Sequence, residues 1–174
     1  MTKWLKKMHL YGTWKKIVFF LINRIFTGIG SFSCSAKRVL MRSLGHSIGH
    51  NTTIVGPIQV SGHIEVGNAC WINRNFYVHG NGCVIIGNNC DIAPEVSLLT
   101  GGHEIGDHER RAGVGESYKI QIGNGVWIGA RATITGNISI GSGCVIAACA
   151  CVTRDTSPDG LYGGVPAKLI RSLN

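Results

Sequence analysis

Acidic side chains are absent from the first 64 residues of the chain, since no Asp or Glu precedes Glu65. The same stretch contains nine Lys and Arg residues, whereas the rest of the chain has eight basic and nine acidic residues and is nearly neutral. The formal net charge of +8 therefore belongs to an N-terminal arm. Such a charge favours an anionic partner, for example a membrane surface. It does not favour nucleic acid, because no recognition motif accompanies it.

Long apolar runs, proline and aromatic residues are also scarce. The apolar run 17–22 is far shorter than the roughly 20 residues that span a bilayer, so residues 1–28 are expected to form a basic amphipathic helix instead. Four prolines and 7% aromatic residues beside 25 glycines disfavour a layered α/β domain and suit a turn-rich β solenoid.

A period of six residues organises most of the chain. The aliphatic residues that recur at this spacing, which we call anchors, are Ile48, Ile54, Val60, Val66, Ile72, Val78, Ile86, Ile92, Leu98, Ile122, Ile128, Ile134, Ile140, Ile146 and Val152. A helix would need spacings near three and four, so the pattern predicts short strands separated by turns. Units of this length cannot bury a face alone, and they therefore stack into a solenoid, here of about five coils.

Segment 122–155, IGNGVWIGARATITGNISIGSGCVIAACACVTRD, resembles the left-handed parallel β-helix of the hexapeptide-repeat acyltransferases. The resemblance implies an all-β fold with an N-terminal helical arm at 1–44, the β-helix at 45–158 and a C-terminal tail at 159–174. Within the β-helix, the polar stretch 104–119 lacks anchors and is expected to leave the coil as a loop. The tail motif GGVPAK is similar to the segment that follows the last coil in this family.

A histidine ends the most conspicuous departure from the repeat. The stretch APEVSLLTGGH, ending at His103, resembles the segment of galactoside and maltose O-acetyltransferases that ends in their catalytic histidine. The resemblance implies that His103 is a general base, that acetyl-CoA is the acyl donor and that no metal is needed. A neutral imidazole can take a proton from a sugar hydroxyl as that hydroxyl attacks the thioester.

The same resemblance implies that an asparagine of an earlier coil holds the acceptor. Asn73 in the motif Asn-Arg-Asn-Phe matches that position, with Asn75 as a substitute. Both residues also have a purely structural interpretation, because Asn tolerates the left-handed backbone of turns.

For the donor, the resemblance implies a groove between neighbouring subunits of a homotrimer. The matching positions are Trp127, Ala130, Ala148, Thr153, Arg154, Lys168 and Arg171. The first five would hold the pantetheine arm, and the two tail cations would approach the nucleotide phosphates. Trp127 is also suited to packing at the trimer seam, and Lys168 and Arg171 to keeping the tail soluble.

One departure from the resemblance concerns the acceptor. The small-sugar acetyltransferases begin with a helical segment that supplies an acceptor-binding Asp, and nothing here resembles it. The basic arm suggests instead a membrane-presented acceptor, such as a lipid-linked glycan or surface-polysaccharide precursor. The arm has a second interpretation, as a cap over the open end of the β-helix.

Other functions remain open from the sequence. An N-acyltransferase acting on an amino sugar needs the same base and donor. A zinc lyase similar to the γ-carbonic anhydrases would use His103 and His108, with His79 as a candidate third ligand. A solenoid that only binds a partner is the non-catalytic alternative.

Cysteine usage bears on the compartment and on the mechanism. Seven cysteines are an odd number, and no cleavable signal pattern is present, so a cytoplasmic location is expected, with peripheral contact at the membrane through residues 1–28. Cys149 and Cys151 belong to no nucleophile motif and are expected to be packing residues.

Overall fold

The structure is a computed structural model that describes residues 3–173, with side chains from residue 10 onward. Two helices, α1 (Lys3–Phe20) and α2 (Ser31–Ser43), are joined through a π-helical turn at Leu21–Ile25. The strands that follow are β1 Ser47–Ile48, β2 Thr53–Ile54, β3 Ile58–Val60, β4 His63–Val66, β5 Trp71–Ile72, β6 Phe76–His79, β7 Cys83–Ile86, β8 Asp91–Ile92, β9 Ser97–Leu99, β10 Gly101–Ile105, β11 Ala112–Ser117, β12 Lys119–Ile122, β13 Trp127–Ile128, β14 Thr133–Thr135, β15 Ile138–Ile140, β16 Val145–Ile146, β17 Cys151–Val152, β18 Gly160–Gly163 and β19 Lys168–Ser172.

Three parallel sheets form the sides of a triangular solenoid. The first sheet has the order β1-β4-β7-β12-β15, the second β19-β18-β16-β13-β8-β5-β2 and the third β17-β14-β9-β6-β3, with β19 antiparallel to β18. Each coil passes through the sheets in the order first, second, third. The described chain therefore contains five complete coils and part of a sixth, one partial coil more than the repeat count predicts.

The anchors form the core of the solenoid. All fifteen are buried, none with more than 4% exposure, because residues of the same phase pair with one another from coil to coil. In the second sheet, for example, Ile72 pairs with Ile92 and Ile92 with Ile128. Cys70, Cys90 and Cys144 are buried free thiols at the small inward positions. The predicted parallel β-helix and its N-terminal helical arm are confirmed.

The predicted loop after Leu99 is an antiparallel hairpin. Strands β10 and β11 pair from Gly101 and Ser117 at their base toward Ile105 and Ala112, and the chain rejoins the coil at β12. The sequence predicts the excursion but not its regular structure, because the hairpin lacks the apolar alternation that identifies strands.

The helical arm closes the open end of the first coil. No strand precedes the first coil, so the carbonyl oxygens at its outer edge have no strand N–H groups to accept from and need other donors. Arg38 donates to the carbonyl of Thr52 at 3.1 Å, Arg42 donates to that of Ile48 at 3.0 Å, and Lys37 donates to those of Ile54 and Val55. These basic residues of α2 therefore act as an edge cap.

The helix α1 is part of the same cap. Val18 and, just beyond α1, Ile22 are fully buried in the core cluster, and Asn23 makes two hydrogen bonds of 2.9 Å with the backbone of Ile58. Lys15 Nζ donates to the carbonyl of Ser61 at 2.9 Å. Among the described residues, neither helix combines the length and the hydropathy required to cross a bilayer.

Candidate active site

His103 lies on β10 of the hairpin, exposed and opposite Gly115 of β11. Its Nδ1 is 2.9 Å from the carbonyl oxygen of Gly113. A carbonyl oxygen can only accept a hydrogen bond, so Nδ1 carries the proton and Nε2 of the neutral ring has a free lone pair. The hairpin therefore orients a histidine that can accept a proton at Nε2.

A cavity of about 460 Å³ adjoins this histidine. It is lined by His79, Gly80, Asn81, Leu99, Gly101, Gly102, His103, Gly115, Glu116 and Ser117. Tyr77 stacks on His79 with ring centroids 5.5 Å apart and 16° between the ring planes. Glu116 accepts a hydrogen bond of 2.8 Å from the Tyr118 hydroxyl, and the bond raises the pKa of Tyr118. The cavity is thus rich in hydrogen-bonding groups.

Glycines allow the close backbone contacts at the base of the hairpin. A Cβ on Gly80 would lie 2.5 Å from the amide nitrogen of Gly101, and one on Gly82 would lie 1.9 Å from the carbonyl oxygen of Tyr118. Thr100 donates from its backbone N to the His79 carbonyl at 2.7 Å and from its hydroxyl at 2.9 Å. The second and third coils therefore meet tightly at this corner, which fixes His79 relative to His103.

The predicted acceptor residues lie at a different corner. Asn73 and Asn75 follow β5, between the second and third sheets, whereas the hairpin leaves the corner between the third and first sheets. Asn73 Oδ1 accepts from the Arg74 backbone at 2.8 Å, and Asn75 has a φ of 56°. Within the described chain they do not line the His103 cavity, and their role with the acceptor stays a prediction.

Four polar residues of the cavity were not assigned to the acceptor from the sequence: Glu116 and Ser117 of the hairpin, and outside the hairpin His79 and Asn81. The signal for His79 and Asn81 was present, because two extra residues break the six-residue period between Val78 and Ile86. That break lies one coil before the hairpin, at the same corner. Two departures from a repeat at one corner indicate a site better than either does alone.

The predicted donor residues fall into three places on the single chain. Trp127 is 56% exposed on β13, and Lys168 and Arg171 are exposed on β19 of the same sheet. The pairs Arg171–Leu161, Leu161–Val145 and Val145–Trp127 are in register, so Arg171 and Trp127 share the outward face, about 14 Å apart at three strand spacings.

The remaining donor residues lie at corners. Ala130 and Ala148 are in successive turns between the second and third sheets, where the Cys149 N–H donates to the Ala130 carbonyl at 2.9 Å. Thr153 and Arg154 are exposed at the corner of the hairpin, two coils beyond it. This corner is opposite the second sheet, so one chain alone does not bring Arg154 and Trp127 together.

No group of three or more His, Cys, Asp or Glu side chains converges to hold a metal ion among the described residues. His103, His108 and His79, the candidate zinc ligands, do not form such a group there. All seven cysteines are free thiols.

Comparison with known proteins identifies the class of the chain. The family described as "Bacterial transferase hexapeptide (six repeats)" matches residues 119–154. Galactoside O-acetyltransferase of Escherichia coli (strain K12) is 34% identical over 140 residues, which cover 79% of this chain and 69% of that protein. The chain belongs to the hexapeptide-repeat acetyltransferases. The prediction of an acyltransferase enzyme is therefore confirmed.

Two solved structures of acetyltransferases extend the similarity. A hexapeptide-repeat acetyltransferase of Vibrio cholerae O1 biovar eltor, complexed with acetyl coenzyme A, is similar at a TM-score of 0.83 and 27% identity, covering 97% of this chain and 90% of that one. The polySia-specific acetyltransferase NeuO has a TM-score of 0.63 and 32% identity, covering 72% of this chain and 60% of NeuO. This acetyltransferase thus shares its fold with acetyltransferases of known structure, one of which is specific for polySia.

Proposed function

We propose that the chain transfers an acetyl group from acetyl-CoA to a hydroxyl of a sugar, with His103 as the general base. The observation that carries this proposal is the contact of His103 Nδ1 with the Gly113 carbonyl, which leaves Nε2 available at a polar cavity. The acetyl-CoA complex of the Vibrio cholerae relative supports the donor. The galactoside acetyltransferase relative supports a sugar acceptor.

The reaction needs only one proton relay. Nε2 of His103 takes the proton of the acceptor hydroxyl as its oxygen forms a bond to the thioester carbon. The tetrahedral intermediate collapses by breaking the carbon–sulfur bond, and the imidazolium returns the proton to the leaving sulfur. The products are the acetylated sugar and CoA, with no acyl-enzyme. His79, Asn81 and Glu116 line the cavity and are our candidates for contacts with the acceptor hydroxyls.

The donor groove requires a second copy of the chain. Trp127, Lys168 and Arg171 lie on the side of the solenoid opposite the corner that carries His103 and Arg154. One acetyl-CoA molecule can contact both groups only where that side of one subunit faces the corner of another. A closed ring of such head-to-tail contacts supports the homotrimer expected from the resemblance.

For the acceptor, we favour a surface-polysaccharide or lipid-linked glycan precursor, acetylated in the cytoplasm at the inner face of the membrane. The similarity to the polySia-specific NeuO supports a glycan polymer. The uncompensated charge of the arm supports contact with an anionic surface.

The test is CoA thiol release from acetyl-CoA by the purified protein against a panel of sugars and lipid-linked glycans. His103→Ala is expected to lower acceptor-dependent release at least about a hundredfold, the worth of a positioned general base. His108→Ala, an exposed histidine in the turn of the same hairpin, is the matched control and should retain activity. Equal loss in both variants together with bound zinc would establish the metal enzyme instead, and no release with any acceptor would refute acetyl transfer.

A further inference from the structure

We call α1, α2 and the residues between them the cap. The outer surface of the cap carries apolar side chains on both helices. Its exposed large apolar side chains, between 39% and 77% exposed, are Leu10, Tyr11, Trp14, Ile17, Phe20, Ile25, Ile29, Phe32 and Val39. On α1, Leu10, Trp14 and Ile17 follow the i, i+4, i+7 spacing of one helix face. We call these nine residues the cap patch. Single exposed apolar residues are ordinary, but nine on two neighbouring helices and the turn between them indicate an interaction surface.

An apolar groove lies within this surface, between the π-helical turn with the residue after it and α2. Its volume is about 460 Å³, and its lining is Leu21, Phe26, Phe32, Ser35, Ala36, Val39 and Leu40. Phe26 and Phe32 meet edge to face with ring centroids 6.1 Å apart, so the groove has an ordered aromatic wall. The groove accepts an apolar chain and offers it almost no polar partner.

The cap is also positively charged without compensation. Its described cations are Lys15, Lys16, Arg24, Lys37, Arg38 and Arg42, of which Lys16, Arg24 and Arg42 are exposed, and no Asp or Glu occurs before Glu65. The hydrogen bonds that Lys15, Lys37, Arg38 and Arg42 make in the edge cap go to neutral carbonyl oxygens, which leave the charge in place. In the described part of the chain, the ion pairs are His63–Glu65 and Arg131–Glu95, and neither involves the cap.

We propose that the cap patch docks on the surface of an anionic lipid bilayer. A bilayer interface takes aromatic and aliphatic side chains at the acyl boundary and places anionic phosphates beside the cations, which matches both properties of the cap. A second copy of this chain could cover the apolar side chains but would not compensate the charge, because cap-to-cap contact would bring two uncompensated positive charges together.

The position of the cap relative to His103 gives this docking a consequence for the acceptor. Lys15 of α1 bonds to Ser61, which lies in the first coil at the same corner that carries His79 in the second and the hairpin in the third. Two strand spacings, about 10 Å, separate Ser61 from the base of the hairpin, and α1 lies one lysine side chain beyond Ser61. A bilayer on the cap therefore lies at the end of the solenoid nearest the cavity, and α1 is attached at the corner that carries the cavity. This step rests on the proposed function and assigns the acceptor to sugars carried on a membrane lipid.

The test is sedimentation of the full chain with vesicles made of equal parts phosphatidylglycerol and phosphatidylcholine, beside vesicles of phosphatidylcholine alone. The wild type is expected to bind the anionic vesicles, and added salt should weaken the binding. In the cap patch, Phe32→Glu with Val39→Glu, at 77% and 62% exposure, should lower the bound fraction about tenfold through lost apolar insertion and added repulsion.

The matched control is Val165→Glu with Ile170→Glu, which changes residues of 76% and 61% exposure at the far end of the solenoid and should bind as the wild type does. Equal losses in the two double variants, or no preference of the wild type for anionic vesicles, would overturn the inference. So would a larger assembly of the free chain that only the cap variant dissociates, since a second copy would then cover the patch.

Thiol release with a soluble sugar acceptor, measured without vesicles, separates the two proposals. If acetyl transfer depends on His103 but the chain does not bind vesicles, the docking proposal is refuted and the proposed function is not. Absence of any acceptor-dependent release refutes the proposed function. The cap variant should melt close to the wild type, because both changed side chains are exposed and, among the described residues, the Phe26–Phe32 edge contact is the one aromatic contact that is lost.

Discussion

His103 Nδ1 and the carbonyl oxygen of Gly113 are 2.9 Å apart across the hairpin that leaves the third coil. This contact requires a proton on Nδ1 and so determines which nitrogen can act as the base. Nitrogen NMR of histidine-labelled protein at neutral pH should show His103 protonated at Nδ1 and unprotonated at Nε2, with His103→Ala assigning the resonances. Protonation at Nε2 instead would contradict the role of Gly113 and the direction of proton transfer.

The sequence predicts the repeating part of this molecule well because the same six-residue rule applies in every coil. All fifteen anchors are buried as the pattern requires. The corners are less predictable, since the period does not show which turns of different coils share a corner. Asn73 and His79 both belong to the second coil, one coil before the hairpin. Asn73 lies at a different corner from the hairpin, whereas His79 lies at the same corner and lines the cavity.

The sequence offers two roles for the basic arm, contact with an anionic membrane and a cap over the open end of the β-helix, and the individual capping contacts are visible only in the structure. Charge composition suggests an external anionic partner, but Lys37, Arg38 and Arg42 bond to carbonyl oxygens of the first coil. No sequence motif marks the carbonyl oxygens that accept these hydrogen bonds. They are unpaired within the sheets because the first strand of each sheet has no earlier strand beside it.

Lys37 is fully buried, with its Nζ hydrogen-bonded to the carbonyls of Gly28, Ile54 and Val55. Burial lowers the pKa of this ammonium group, and the three carbonyls are the partners that offset its desolvation. Replacing it by an apolar chain of similar length relieves the buried charge but leaves three acceptors without donors. Lys37→Met should therefore lower the free energy of unfolding by about 2 kcal/mol, measured by urea denaturation.

The matched control for that change is Lys16→Met, an identical substitution at an exposed position of α1. It should change the free energy of unfolding by less than about 0.5 kcal/mol. If both variants lose the same stability, the capping role of Lys37 is wrong.

His46 is 6% exposed between the cap and the first coil, and burial together with the neighbouring His63 and Lys15 lowers its pKa to about 4. Its Nδ1 accepts a hydrogen bond of 3.4 Å from Ile64, and its Nε2 is buried without a partner among the described residues. The unfolded chain binds a proton at this residue near pH 6.5, so stability is present above that pH and is lost as the pH falls toward 4.

The expected loss between pH 7.5 and pH 5 is about 2 kcal/mol from His46 alone. His46→Asn keeps an acceptor near Ile64 and cannot take up a proton, so its urea midpoint should depend less on pH than that of the wild type by this amount. Parallel pH dependence of the two proteins would show that His46 does not carry the acid sensitivity.

Arg171 and Trp127 share a register row on the second sheet, and the proposed groove assigns them to different parts of the donor. Arg171→Ala should raise the KM for acetyl-CoA about tenfold with little change in kcat, since a charged hydrogen bond to phosphate is lost. With acetyl-pantetheine, which lacks the nucleotide, this variant should equal the wild type. Trp127→Ala should raise the KM for both donors, because the proposed groove places the pantetheine arm against the indole.

Arg110→Ala, at an exposed arginine in the turn of the hairpin, is the control for lost positive charge and should leave the KM of both donors unchanged. A donor-independent effect of Arg171→Ala would mean that the residue supports the tail and not the phosphates. An unchanged KM for both donors in Trp127→Ala would assign the indole to the seam of the proposed trimer, in which case the variant should shift that trimer toward monomer in sedimentation equilibrium. The two substitutions thus separate nucleotide recognition, pantetheine recognition and assembly on one face of the solenoid.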